Sequence, residues 1–164
     1  MKYLTLIGIL LVGAFVLFNS NWFQAFFLYE HFYEKIYCAP FDVTKKGESI
    51  IIPIQFKYNT SYGLALSVPD RYALDSLKKD NGQIKYRFIS KGHVLKEGMT
   101  IPPIRENTTF TNNTSSVDIL IFDLPLPGAE KDLTLELVVL SPMTFFNDYS
   151  GLITCFINPY YNPD

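Results

Sequence analysis

Two histidines and two cysteines are all that this chain of 164 residues contains. His31 and His93 stand in unrelated stretches, and Cys38 and Cys155 lie near opposite ends, so no pair has metal-ligand spacing. There is no Gly-x-Ser-x-Gly elbow, no phosphate-cradling glycine loop and no Asp-x-Asp-x-Asp-Gly calcium loop. Basic charge is not in excess: 14 Lys and Arg face 16 Asp and Glu, a net charge of -2. A phosphate-binding surface needs such an excess, so nucleic acid is not an expected partner. Beyond Lys2 no polybasic run addresses lipid headgroups. The carboxylates are scattered, with Asp118 and Asp123 bracketing an apolar strand. These absences predict no enzyme, no cofactor and no metal.

Apolar and aromatic side chains are plentiful. Hydrophobic residues make up 48% of the chain and aromatic ones 16%, which excludes a disordered protein. From Cys38 onward about 125 residues remain, near the usual size of one domain.

Met1 and Lys2 precede an uncharged run from Tyr3 to Phe18. A positive start and an apolar run are common to signal peptides and signal anchors. No small-x-small cleavage site follows, since Phe18, Trp22 and Phe23 occupy the candidate positions. Residues 1–23 are therefore read as a transmembrane anchor, with a cleaved signal as the rival. Lys2 places the N-terminus in the cytoplasm of a bacterium and the following domain in the periplasm. Residues 24–37 read as an aromatic juxtamembrane helix. Trp22, Phe23, Phe26, Tyr29 and Tyr33 are the expected membrane-interface residues, because their rings are apolar and several carry a polar tip. Pairing with another membrane protein is one reading of the same helix; seating on the lipid is the simpler one.

Residues 38–164 carry period-two alternation, the mark of half-buried strands. Ile50, Ile52, Ile54, Phe56 and Tyr58 form one face of a strand that Pro53 should confine to an edge or a bulge. Tyr62 to Val68, Ile84 to Phe88 and Leu133 to Val139 alternate in the same way. Ile119 to Leu124 and Leu152 to Ile157 are apolar on both faces, and a first strand is expected over Ala39 to Val43. Tyr72, Ala73, Ser76 and Leu77 have helical spacing, with Asp70 before and Lys78 and Lys79 after them, so a two-turn helix is expected there. Lys91 to Ser116 reads as a long irregular loop, with room for a short strand near Val94 to Ile101. The fold class is all-β: an immunoglobulin-like sandwich of about seven strands with one short helix, a small barrel being the alternative.

A periplasmic location would allow a Cys38–Cys155 disulfide clipping the first strand to the last; unpaired thiols, with Cys155 a buried hydrophobe, are the rival. Asn59, Asn107, Asn112 and Asn113 head glycosylation sequons, read as products of Asn/Thr-rich composition. The two aromatic clusters near the C-terminus supply candidate protein-binding residues: Phe145, Phe146 and Tyr149, then Tyr160 and Tyr161. His93 and Phe110, in the long loop, complete the candidate surface.

Phe41-Asp42-Val43-Thr44-Lys45-Lys46-Gly47-Glu48, running into Ile50 to Tyr58 and then Tyr62 to Val68, resembles the opening of a family of small bacterial extracytoplasmic β-sandwich domains of uncharacterised function. The resemblance covers the domain and not the anchor, and it lies in strand pattern. It implies a membrane-anchored domain that binds another protein, such as a secreted antibacterial toxin that it neutralises as an immunity protein. A structural subunit of an envelope complex is the second reading, and an extracytoplasmic hydrolase the third.

Overall fold

The computed structural model describes residues 2–111 and 113–160; the side chains of residues 2–6 and 107 are not included. Three helices lead: α1 (Lys2–Phe18), α2 (Asn21–Phe27) and α3 (Tyr29–Phe32). Nine strands follow among the described residues: β1 (Tyr37–Pro40), β2 (Ser49–Pro53), β3 (Ser61–Val68), β4 (Gln83–Ser90), β5 (His93–Met99), β6 (Thr108–Thr111), β7 (Thr114–Asp123), β8 (Thr134–Ser141) and β9 (Thr154–Tyr160).

They form two antiparallel sheets, ordered β1-β9-β3-β7-β6 and β2-β8-β4-β5. The sandwich is thus as expected, but its connectivity is not the immunoglobulin one. That fold pairs its second strand with its first and its fifth. Here β2 lies in the other sheet from β1, and the last strand inserts between the first and the third. Without β6, the two four-stranded orders are those of a jelly roll, and β6 adds a fifth strand through its hairpin with β7.

Inward side chains of both sheets make one core. Ile52, Leu64, Leu66, Ile84, Phe88, Val117, Leu135, Leu137 and Ile157 are each fully buried within it. β2 is an edge strand and ends at Pro53, where the missing amide hydrogen costs no ladder bond. In β7 the register slips beside Leu64 and Ala65, so that Ile119 is an extra residue. The bulge turns both Ile119 and Leu120 inward, which accounts for a run apolar on both faces.

Three other expectations need correction. Residues 71–76 are successive turns, not an α-helix. Their backbone bonds run from Ala73 to Asp70, Asp75 to Tyr72 and Leu77 to Leu74, all across three residues. Ala73, Leu74 and Leu77 bury against the core, while Tyr72 is exposed. Lys91 to Ser116 is not one irregular loop: β5 falls on the short strand expected near Val94 to Ile101 and pairs with β4, and β6, outside that expectation, pairs with β7. The cysteines are free, Cys38 exposed and Cys155 buried. Cys155 stands opposite Ala39 and Cys38 opposite Phe156. Directly opposed residues share a face, so this offset of one residue sends the two sulfurs to opposite sides of the sheet.

The anchor also differs from expectation. Among the described residues no single helix is long and apolar enough to cross a membrane; α1 and α2 pass that test together, but with a 68° bend between them. The helix stops at Phe18, not at residue 23. Asn19 Nδ2 donates to the Phe15 carbonyl and Ser20 Oγ to that of Leu17, which ends α1. Ser20, extended in backbone, then caps α2 by accepting from the Phe23 amide.

Candidate functional site

The short helices are fastened to the loop between β2 and β3. Phe32 is wholly buried, its ring 4.9 Å from that of Tyr58. Tyr58 is held in turn by the Tyr62 hydroxyl, which accepts from its amide and donates to its carbonyl. Asn21 Nδ2 donates to the Asn59 carbonyl at 2.9 Å, and Lys57 donates to Glu34 at 2.5 Å. The Lys57 ammonium draws the Glu34 carboxyl below its ordinary pKa. After α3 the chain joins the five-stranded sheet, where the Ile36 amide donates to the Ile157 carbonyl and the Lys35 ammonium lies 4.2 Å from the centre of the Phe156 ring.

This path leaves a groove of about 510 Å³ over the outer face of the five-stranded sheet. Its volume falls in the usual range for small-molecule sites. The floor crosses four strands: Phe156, Asn158 and Tyr160 on β9, Ser67 on β3, Ser116 and Asp118 on β7, and Thr109 and Thr111 on β6. Tyr29, Glu30, Tyr33 and Lys35 form the helical wall. Asp118 follows the inward Val117 and so faces outward, and it sits within β7 and does not end the strand. No described residue donates a hydrogen bond or pairs its charge with Asp118, and burial alone pushes its carboxyl above the ordinary range. Beside it, Gly63 has no side chain; a Cβ there would meet Asp118 Oδ1 at 3.5 Å and Tyr160 Cδ2 at 3.7 Å.

Of the residues singled out from the sequence, Tyr160, Tyr29 and Tyr33 line this groove. Trp22 and Phe26 are exposed on α2, and Phe23 stacks on Phe27 at 4.8 Å. His93 and Phe110 do not meet, since they lie on β5 and β6, edge strands of different sheets. Phe146 is a correction: it is wholly buried core and offers no binding surface. Phe145 packs on that core, and Tyr149 donates its hydroxyl to Asp70 at 2.8 Å. Tyr161 lies outside the described residues.

Asp118, Asn158, Thr109 and Thr111 escape a sequence reading because the groove is assembled from distant strands. Two local signals point to it: a carboxylate between Val117 and Ile119, and a glycine inside the alternation of β3. Among the described residues no group of three or more His, Cys, Asp or Glu is arranged to hold a metal. No family model, curated protein or solved structure matches the chain.

Proposed function

We propose that this protein is a membrane-attached, extracytoplasmic binding module without catalytic activity, and that its partner is another protein. The observation carrying this reading is α1. Every residue of Ile7–Phe18 is exposed, and Leu11 and Phe15 show 67% and 70% of their surface. Only its last turn meets α2, where the Phe18 ring lies 5.3 Å from that of Phe23, and a helix that is otherwise exposed and apolar all round needs an apolar surrounding. Its 17 residues extend about 25 Å, near the lower limit for crossing a bilayer core of about 30 Å. On this reading α1 enters the lipid, and the bend at Asn19 and Ser20 turns the aromatic α2 along the headgroups. Two kinds of partner fit this reading: a toxin that the domain occludes as an immunity protein, or a subunit of an envelope complex.

The two thiols test the placement. Cys38 is exposed, whereas Cys155 is fully buried and its thiol is pushed up to about 12, chiefly by burial. A membrane-impermeant maleimide applied to intact bacterial cells should label Cys38 alone once the outer membrane is permeabilised. The chain should stay in the membrane pellet through alkaline carbonate washing and leave it when residues 1–20 are deleted. Labelling only after the inner membrane is broken would refute the extracytoplasmic placement. A chain released by carbonate would refute the attachment.

A further inference from the structure

We infer that the groove over the five-stranded sheet binds a neutral oligosaccharide, gripped by Asp118 and Asn158 and flanked by the ring of Tyr160. This goes beyond the protein-binding reading and depends neither on that reading nor on membrane attachment.

A sugar has two chemistries: C–H faces that pack on aromatic rings, and a rim of hydroxyls that both donate and accept. The groove offers both. Phe156 and Tyr160 lie on its floor, among the neutral side chains of Ser116, Asn158 and Thr109. Asn158 both donates and accepts, as hydroxyls do, so it can serve a ligand that is donor and acceptor at once. Asp118 only accepts, and its two oxygens suit adjacent hydroxyls. It is partly buried and takes no hydrogen bond from the described residues, so both its oxygens remain open to a ligand's donors. Its neighbour Gly63 leaves the space above β3 open between Asp118 and Tyr160. A cationic side chain of a protein partner would also satisfy Asp118. It would leave the hydroxyl donors of the floor unused, and it would meet the Lys35 ammonium already seated on Phe156.

The test uses the full chain in phosphatidylcholine vesicles and equilibrium dialysis against chitotriose, maltotriose and cellotriose. At least one should bind with a dissociation constant of about 1 mM or tighter. Asp118→Asn and Gly63→Leu should each weaken that binding at least tenfold, the first by removing an acceptor and the second by filling the floor. Circular dichroism melting of both variants checks that they are folded. Should Gly63→Leu fail to fold, Asp118→Asn alone decides. Binding that survives Asp118→Asn overturns the site. No binding of the three sugars overturns the inference, as does Asp118-dependent binding of an arginine-containing peptide in their place. That last result would leave the protein-binding module standing.

Discussion

Asp42 joins two turns that are far apart in sequence, and its removal should open one end of the sandwich. The residue is only 8% exposed. Its Oδ1 accepts from the Thr44 amide at 3.1 Å and the Thr44 hydroxyl at 2.6 Å. Its Oδ2 accepts from the Ser150 hydroxyl at 2.9 Å and the Gly151 amide at 3.2 Å, and pairs with Lys45 at 3.0 Å. The bonds to Thr44 are local and survive in part when the chain unfolds. Those to Ser150 and Gly151 span more than a hundred residues and vanish. At about 1.5 kcal/mol each for bonds to a charged acceptor, Asp42→Asn should cost about 3 kcal/mol. For a domain of this size that is a fall of about 10 °C in melting temperature. Burial works to raise the carboxyl pKa, but the bonds from Thr44, Lys45 and Ser150 outweigh it and hold the folded value far below the usual carboxylate range. The stabilisation is therefore fully present above the unfolded value of about 4 and fades as the pH falls toward the folded one. Urea titrations of the full chain in non-ionic detergent, followed by circular dichroism, should show the largest gap between wild type and Asp42→Asn at pH 7. The gap should narrow at pH 3. A gap below about 1 kcal/mol at pH 7, or one unchanged at pH 3, would refute this account of Asp42.

Two further substitutions probe the packing. Phe32→Ala should cost about 3–5 kcal/mol of local stability by emptying the seat beside Tyr58; limited proteolysis should then cut residues 20–36 much faster than in the wild type, and equal cutting would show that Phe32 does not hold the helices. Gly82→Ala places a Cβ 2.2 Å from Met143 Cγ and 2.8 Å from its backbone Cα, so about 2 kcal/mol should be lost in thermal melting; an unchanged melting temperature would mean that Met143 and its backbone move aside freely.

Strand content was legible wherever burial is one-sided. The alternation of Tyr62 to Val68 and of Ile84 to Phe88 falls on β3 and β4, and that of Leu133 to Val139 falls on β8 with its first residue just outside. The edge position of β2 followed from Pro53. Strand order did not follow, because alternation says which face is buried and nothing about the neighbour. β5 was legible only as a possible short strand and β6 not at all, because edge strands bury little on either face: β5 keeps only Leu95 and Gly98 from full exposure, and β6 only Thr108. Residues 70–79 carry helical spacing, yet a segment so short gains little from helix formation, and its ends are bound elsewhere. Lys79 bridges to Ile104, and the Asp80 amide donates to the Pro103 carbonyl. The fate of the two cysteines turned on a register of one residue, which composition and compartment cannot supply. The groove was the least legible, since a bulge in β7 and the return of α3 over β9 both had to be known.

The position of β9 has a consequence for how the chain is made. Its residues 154–160 lie between β1 and β3, so the edge strand β1 stays separated from the rest of the five-stranded sheet until the last described strand arrives. Pairings such as Ala39 with Cys155 close a loop of more than a hundred residues, and such non-local contacts form slowly. An emerging chain can form the β4–β5 hairpin early, but not the sheet that bears the groove. Closure of the sandwich and completion of the groove floor are then the same event.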